Sequence, residues 1–195
     1  MNFCPRCGTP LVSQMEGGRE RPACPREGCR YFHFGDYSIG CGGVVIRDNK
    51  GLLIQRGINP NRGAWQLPGG YVEADEEIVD AVEREVLEEA GVVAKVEDIV
   101  GFRHSIAGSI GGPSANIYVV FRLTPISGEP SFDGDETIGA GYFSLDEIAE
   151  MDRVQGLSVW AIRRALELPS TEGFGVDRSD DSLTRPGWSL FAPKS

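Results

Sequence analysis

One short segment rich in carboxylates constrains this chain more than any other feature of its sequence. Between Glu73 and Glu89, nine acids accompany a single arginine in 17 residues. A solvated surface helix would normally relieve such repulsion with lysines at i+4 spacings, and here none is present. Residues 76–90 have the pattern of a helix, and Gly91 follows at a natural left-handed cap position. The crowded helix therefore costs free energy unless a cation offsets its charge.

Three of these acids are spaced to lie on one side of the predicted helix. Glu85, Glu88 and Glu89 are related as i, i+3 and i+4, so their side chains project from the same helical face. Hard cations such as Mg²⁺ bind carboxylate oxygens and keep waters and substrate phosphates in their remaining positions. The pattern therefore indicates a cation site that a phosphate-bearing ligand completes.

The loop before the helix carries two adjacent glycines. Gly69 and Gly70 allow the backbone to approach a ligand closely, and a carbonyl there is a candidate oxygen ligand. The guanidinium of Arg84 is expected to pair with Glu76 across this loop, although Glu88 at i+4 competes as a partner. Loop and helix are thus expected to act together.

The segment of residues 70–92 matches every fixed position of the Nudix box, G-x5-E-x7-R-E-U-x-E-E-x-G-U with U aliphatic. The matching residues are Gly70, Glu76, Arg84, Glu85, Val86, Glu88, Glu89, Gly91 and Val92. Over roughly residues 36–168 the chain resembles Nudix hydrolases. The resemblance implies an α/β fold, the Nudix α/β/α sandwich with a mixed sheet, in which the box forms a loop–helix–loop.

The same resemblance implies roles for individual residues. The implied ligands of a catalytic Mg²⁺ or Mn²⁺ are the carbonyl of Gly69 and the carboxylates of Glu85, Glu88, Glu89 and Glu136. Glu88 would bind directly or through water, and Arg84 with Glu76 would orient the site. Water, activated by metal or by a carboxylate, would attack one phosphorus of a pyrophosphate.

Glu136 stands in an acidic stretch, residues 133–143, before the last predicted strand and helix. Nudix enzymes often carry a further catalytic carboxylate there, and Asp135 is the second candidate. A solvated turn acid is the alternative interpretation. Family members frequently have another acid three residues later, where this chain has Gly139, so the arrangement of this ligand departs from the family pattern.

Strands and helices alternate across the middle of the chain, which predicts a mixed α/β layer fold. The expected strands cover residues 37–46, 52–55, 92–102 and 116–123, and a further helix covers 157–168. Ser144 and Glu147 form a capping-box pattern for another short helix. No run of 18 apolar residues is present, so no membrane helix is expected.

Four cysteines lie near the start of the chain with the spacing C-x2-C-x16-C-x4-C. They are Cys4, Cys7, Cys24 and Cys29. The first residues lack the pattern of a secretory signal, which favours a metal site over disulfides and predicts a cytoplasmic protein. Four thiolates fit a closed, structural Zn²⁺ site. The isolated Cys41 is interpreted as a small buried residue.

These features predict three zones. Residues 1–35 form a zinc ribbon that is too short to fold without a metal, residues 36–168 form the Nudix domain, and residues 169–195 form a polar tail. Within the tail, Trp188, Leu190 and Phe191 either dock on the domain or a partner subunit, or belong to a flexible end.

The order of ribbon and Nudix domain resembles NADH pyrophosphatases and a related branch that hydrolyses FAD or ADP-ribose. In those enzymes an aromatic residue after the ribbon can stack on the substrate base, so Phe34 is a candidate, with packing against the neighbouring domain as the alternative. Their element Ser-Gln-Pro-Trp-Pro-Phe-Pro-x-Ser is absent, and residues 102–113 stand in its place. There, Arg103 and His104 either line the substrate cleft or lie on a surface hairpin.

The expected function is metal-dependent hydrolysis of the pyrophosphate bond in a nucleoside-diphosphate derivative such as ADP-ribose, FAD or NADH, giving two phosphate-bearing products. The alternatives are a house-cleaning enzyme that releases pyrophosphate from nucleoside triphosphates and a metabolite sensor that binds without cleaving. Residues 36–195 carry a charge of -12, which argues against a nucleic-acid partner. The oligomeric state stays open, with a homodimer suggested by relatives that carry ribbons.

Overall fold

The computed structural model describes residues 1–108, 114–169, 173–176 and 191–193. The chain divides into two compact units, one of residues 1–37 with 106–115 and one of residues 38–105 with 116–195. Trp188 and Leu190, which were predicted either to dock or to belong to a flexible end, lie outside the described residues.

The secondary structure comprises ten strands and three helices within the described residues. The strands are β1 (Val12–Glu16), β2 (Arg19–Ala23), β3 (Tyr37–Arg47), β4 (Lys50–Arg56), β5 (Trp65–Gln66), β6 (Val93–Ser105), β7 (Ala115–Ser127), β8 (Thr137–Phe143), β9 (Phe174–Val176) and β10 (Phe191–Pro193). The helices are α1 (Ile78–Ala90), α2 (Leu145–Glu150) and α3 (Gly156–Glu167).

The first unit is built on the antiparallel hairpin of β1 and β2, in which Val12 pairs with Ala23 and Glu16 with Arg19. A tight turn follows Cys4, whose carbonyl accepts the N–H of Gly8 at 2.8 Å. Gly8 has φ 70°, a left-handed conformation that glycine adopts without steric cost. The turn therefore brings the first cysteine pair together locally.

The second unit contains an eight-stranded sheet with the order β10-β9-β6-β7-β3-β4-β5, and β8 pairs with β4. Residues 40–45 of β3 and 51–54 of β4 are buried without interruption. Strands that are covered on both faces have such continuous burial, whereas half-exposed strands alternate. The two strands therefore form the centre of the domain.

Helices cover both faces of this sheet, which confirms the predicted α/β sandwich. One core cluster joins β3 and β4 to the buried face of α1, through residues such as Val82 and Val86. A second cluster joins the sheet to α2 and α3, through residues such as Ile148 and Ile162. The sheet thus separates the acidic helix from the other two helices.

The helix ends follow the local sequence signals. Gly91 ends α1 in the left-handed conformation, with φ 68° and its N–H donated to the carbonyl of Leu87 at 2.9 Å. At the start of α2, the N–H of Glu147 donates to Ser144 Oγ at 3.1 Å, and the N–H of Ser144 donates to Glu147 Oε2 at 2.7 Å. Both predictions, the glycine cap and the capping box, are confirmed.

The segment interpreted as a polar tail contributes two short strands to the sheet. Phe174 in β9 pairs with Ile99 in β6, and β10 pairs with β9. The Phe191 ring lies 5.8 Å from the Phe121 ring and packs on the core cluster under α1. Three-residue strands lack a readable period, so only their distant partners define them.

A buried ion pair connects β6, β7 and the end of α3. Asp98 is fully buried, and Arg122 Nε donates to its Oδ1 at 3.1 Å. Arg122 Nη1 donates to the carbonyls of Leu168 at 2.8 Å and Ala165 at 3.2 Å. One guanidinium therefore neutralises a buried carboxylate and satisfies carbonyls that the helix end leaves without a partner.

Within the described residues, no helix is long and apolar enough to span a membrane.

Candidate functional site

Arg84 binds three of the acids in and before α1. Its Nε and Nη2 donate to the two carboxylate oxygens of Glu76 at 3.1 and 2.9 Å. Its Nη1 donates to Glu85 Oε1 and to Glu88 Oε2, both at 2.9 Å. The predicted contact with Glu76 is present, and Glu88 is an additional partner instead of a competitor. The bond from Arg84 lowers the pKa of Glu76.

Glu85 points inward against the loop that carries Gly69 and Gly70, the glycine loop. Its side chain is 14% exposed, and a Cβ at Gly70 would lie 2.5 Å from Glu85 Oε1. A side chain at position 70 would therefore displace this carboxylate. Burial raises the pKa of Glu85, and the guanidinium of Arg84 opposes that rise.

Glu89 is held by the backbone of the same loop. Its Oε2 accepts the N–H of Gly69 at 2.7 Å. Burial raises the pKa of Glu89 to about 7, the bond from Gly69 opposes the rise, and the charges of Glu85 and Glu136 add to it. Arg56 lowers this pKa, so a cation that sequence reasoning missed also lies within electrostatic range.

The glycine loop is fastened to β3. The N–H groups of Gly43 and Cys41 donate to the carbonyls of Pro68 and Gly70, each at 2.9 Å. Between these two bonds Gly69, with φ 154°, donates its N–H to Glu89 instead. The loop backbone thus binds both β3 and the carboxylate of Glu89.

The loop before β8 brings Glu136 near this cluster. The N–H of Gly57 donates to the Glu136 carbonyl at 2.7 Å, and the Glu136 side chain is exposed. The carboxylate of Asp133 accepts the N–H groups of Asp135 and Thr137, each at 2.9 Å, which lowers the pKa of Asp133. Asp133, which sequence reasoning passed over, therefore shapes the loop that carries Glu136.

The three carboxylates predicted on one face of α1 do not meet at one point. Arg84 holds Glu85 and Glu88, while Gly69 holds Glu89, and the Glu88 side chain is 59% exposed. Counting Glu76 as well, the site has four carboxylates, three of which bind Arg84, and it therefore carries an excess of negative charge. Two of them are partly desolvated, which a divalent cation with oxygen preference offsets. The donor set therefore fits Mg²⁺ or Mn²⁺.

The four predicted cysteines form a separate cluster in the first unit. Their sulfur atoms all lie within 4.8 Å of one another, with 3.5 Å between Cys7 and Cys24 and 3.7 Å between Cys4 and Cys29. None of the four is in a disulfide. Within the described part of the chain, no other group of three or more cysteine, histidine or acidic side chains converges in this way. Such a set of thiols fits a tetrahedral metal ion.

Cys41 is fully buried in the core of the second unit, as predicted. Burial raises its pKa to about 12, and the neighbouring carboxylate of Glu85 adds to the rise. Because the thiol stays protonated, it packs as a small apolar group.

The remaining predicted residues are dispersed. Phe34 is 58% exposed, and the guanidinium carbon of Arg21 lies 4.6 Å from the centroid of its ring. Arg103 is exposed and donates to Asn116 Oδ1 at 2.7 Å. His104 is also exposed, and as the next residue along β6 it faces the opposite side of the sheet.

Tyr118, which was not among the predicted residues, lies beside the glycine loop. It is within electrostatic range of both Glu85 and Glu89, and burial raises its pKa above the usual range. The sequence gives one indication that an aromatic residue packs here. Gly40 and Gly42 are two residues apart in β3 and therefore share a face, where an aromatic ring can lie close to the backbone. The glycines do not indicate which aromatic residue occupies the space.

Comparison with known proteins agrees with this geometry. The model of the NUDIX domain family matches residues 38–160. An ADP-ribose pyrophosphatase from Methanocaldococcus jannaschii is 37% identical over 114 residues, 58% of this chain and 66% of that protein. Nudix hydrolase 8 from Arabidopsis thaliana is 28% identical over 68% of this chain and 36% of its own length. The chain thus spans less than two thirds of these curated relatives.

Among solved structures, a NUDIX hydrolase from Nitrosomonas europaea superimposes with a TM-score of 0.69 and 28% identity. The superposition covers 86% of this chain and 91% of the other. Family model, relatives and fold agree with the box residues gathered around Arg84. The chain belongs to the NUDIX family.

Proposed function

We propose that this protein is a metal-dependent pyrophosphohydrolase that cleaves a nucleoside-diphosphate derivative of the ADP-ribose, FAD or NADH type. The observation that carries the proposal is the arrangement around Arg84, where one guanidinium orders Glu76, Glu85 and Glu88. Glu89 joins them through the Gly69 backbone. An inert surface helix has no need to bury carboxylates against glycines in this way.

In this proposal the chain's own groups hold the cation and orient the substrate. Glu85, Glu89 and the Gly69 carbonyl bind Mg²⁺ or Mn²⁺, with Glu88 at the exposed side and Glu136 from the loop before β8. A bound divalent ion polarises a phosphoryl oxygen and makes a water more acidic. Arg84 keeps Glu85 and Glu88 in place while the phosphates enter.

The proposed reaction consumes one water and conserves both halves of the substrate. The water oxygen forms a bond to one phosphorus, and the bond between that phosphorus and the bridging oxygen breaks. The proton of the attacking water passes to a carboxylate or to solvent, and each product keeps one phosphate.

The relative from M. jannaschii, named an ADP-ribose pyrophosphatase, supports ADP-ribose as the first substrate to test. The purified protein is incubated with ADP-ribose, FAD, NADH, coenzyme A, Ap4A and dNTPs in Mg²⁺ or Mn²⁺, and products are identified by mass. We expect AMP and ribose 5-phosphate from ADP-ribose. Release of pyrophosphate from dNTPs alone would favour the house-cleaning function, and tight binding without any product would favour a sensor.

We further propose that Cys4, Cys7, Cys24 and Cys29 hold a structural zinc ion. A site with four thiolates leaves no position for substrate, and zinc binding in such small modules supplies about 10–16 kcal/mol that drives their folding.

Elemental analysis should find one zinc per wild-type chain. The Cys24→Ser variant should lose that zinc and expose residues 1–37 to protease, because three thiolates no longer close the site. The control is Cys41→Ala, a buried cysteine outside the cluster, which should retain the metal. Zinc-free wild-type protein with an intact, protease-resistant N-terminal unit would contradict the proposal.

A further inference from the structure

Tyr118 lies against three glycines at the base of the site. A Cβ at Gly40 would lie 2.8 Å from Tyr118 Cδ2, and one at Gly42 would lie 2.9 Å from its Cε1. A Cβ at Gly69 would lie 2.7 Å from the Tyr118 hydroxyl oxygen. Since real Cβ atoms do not approach other atoms so closely, the ring occupies space that exists because Gly40 and Gly42 lack side chains, and its hydroxyl lies beside Gly69.

Neighbouring side chains also restrict the position of the Tyr118 ring. The guanidinium carbon of Arg103 lies 5.5 Å from the centroid of the Tyr118 ring. Arg103 is fixed by Asn116, which is 8% exposed and donates from Nδ2 to Ser38 Oγ at 3.0 Å. A cation over an aromatic face and a buried amide behind that cation both restrict the ring's position.

Gly69 needs a restraint of this kind. Glycine samples more backbone conformations than any other residue, and Gly69 has no side chain to pack. Its N–H binds Glu89. The two hydrogen bonds to β3 hold its neighbours Pro68 and Gly70, and Gly69 itself lies between the β3 backbone at Cys41 and Gly42 and the Tyr118 hydroxyl. Tyr118 is thus the side chain that packs on Gly69 from outside β3.

We propose that Tyr118 is a positioning residue that holds the Gly69 backbone in the geometry required for binding the catalytic cation. The inference rests on the proposed function, because it concerns the same cation site. The ring acts through Gly69 and Glu89 and does not touch the reacting atoms. Residues that orient metal ligands in this indirect way typically change metal affinity by about 10- to 100-fold when they are removed.

The Kd for Mn²⁺ can be measured without any substrate. The EPR signal of free Mn²⁺ is monitored as the ion is titrated into the protein. We expect Tyr118→Ala to raise the Kd for Mn²⁺ by about tenfold or more. Tyr118→Phe should raise it by less, because it keeps the ring against Gly40 and Gly42 and loses only the hydroxyl beside Gly69. In turnover assays, Tyr118→Ala should recover much of its activity at high Mn²⁺.

Tyr142 provides a matched control. It is also half-buried, and the guanidinium carbon of Arg47 lies 4.2 Å from its ring centroid. It lies in β8 and packs on the core under α1. Tyr142→Ala should lower the Tm as Tyr118→Ala does, yet leave the Kd for Mn²⁺ within about twofold of wild type.

A second pair of variants displaces the ring without deleting it. A Cβ at Gly42 would meet the Tyr118 ring first, so Gly42→Ala should weaken Mn²⁺ binding in the wild-type background. In the Tyr118→Ala background the added methyl has room, and the same change should cost nothing further. If Tyr118→Ala proves insoluble, Gly42→Ala alone still tests the inference, because weaker Mn²⁺ binding is expected when the ring is displaced.

The outcomes separate the inference from the proposed function. A wild-type protein that neither binds Mn²⁺ nor hydrolyses any pyrophosphate overturns both. If wild type binds and hydrolyses while Tyr118→Ala binds Mn²⁺ equally well, only the role of Tyr118 is overturned. An equal loss of affinity in Tyr142→Ala also overturns that role, because general loosening of the core would then explain it.

Discussion

Replacing Glu85 or Glu89 with glutamine should leave the fold intact and reduce the rate of pyrophosphate hydrolysis about 10²- to 10³-fold or more at saturating Mg²⁺. A loss of this size is typical when one group that stabilises transition-state charge is removed. Glutamine retains the shape that fits against Gly70 and an oxygen for Arg84 or for the Gly69 N–H. It lacks the charge that holds a divalent ion. Steady-state rates and circular dichroism of the same samples test both parts.

Glu83 provides the control for this experiment. It lies on the same helix with a side chain that is 15% exposed, but it pairs with Lys95 and accepts the N–H of Val96, away from Arg84. Glu83→Gln should therefore keep nearly wild-type turnover. Wild-type rates in both Glu85→Gln and Glu89→Gln would refute the proposed site.

Glu89→Gln also has an expected effect on stability with a definite sign. Burial raises the folded-state pKa of Glu89 to about 7, above an unfolded value of about 4.3. The stability that the protonated group contributes is complete below pH 4.3 and is lost as the pH rises through 7. In EDTA, the variant's Tm should therefore equal or exceed that of wild type at pH 8, and the difference should shrink toward pH 5.

Replacing Arg122 with leucine should destabilise the protein by about 3–5 kcal/mol, the cost typical of breaking a buried ion pair by removing one of its members. Asp98 is fully buried, and Arg122 is the guanidinium that pairs with it. The change also removes the donor that binds the carbonyls at the end of α3. Urea denaturation of the metal-free protein measures the loss as a shift in the midpoint.

Two further variants identify the cause of that loss. In the double variant Asp98→Asn with Arg122→Leu the uncompensated charge is gone, so part of the stability should return, although the carbonyls at the end of α3 stay without their donor. Arg164→Leu removes a surface arginine 3.7 Å from Glu167 and should cost less than about 1 kcal/mol. A double variant no more stable than Arg122→Leu would show that the buried charge is not responsible.

Features with a local cause were predictable from the sequence. Gly91 ends α1 because a left-handed residue is needed there, and Ser144 with Glu147 caps α2 because each side chain reaches a backbone N–H three residues away. Within each cysteine pair, Cys4 with Cys7 and Cys24 with Cys29, a tight turn lies between the two residues. In every case the interacting groups are close in sequence, so spacing alone carries the information.

Features that depend on distant partners were not predictable. β9 and β10 have no pattern of their own and exist through pairing with β6 and with each other. Asp133 became a turn former because the N–H groups of its own loop converge on it. Helical spacing placed Glu85, Glu88 and Glu89 on one face but did not indicate their partners, which are Arg84 for the first two and Gly69 for the third.

The acidic helix shows where the two sources of information divide. Spacing alone predicted its end at Gly91, the shared face of Glu85, Glu88 and Glu89, and the pairing of Arg84 with Glu76. The helix begins at Ile78, two residues later than predicted. The tertiary structure decided how deeply each carboxylate is buried, that Gly69 binds Glu89, and that Tyr118 lies beneath Gly69. The reason is physical: a helix repeats every few residues, whereas desolvation and close packing depend on strands brought together from opposite ends of the domain.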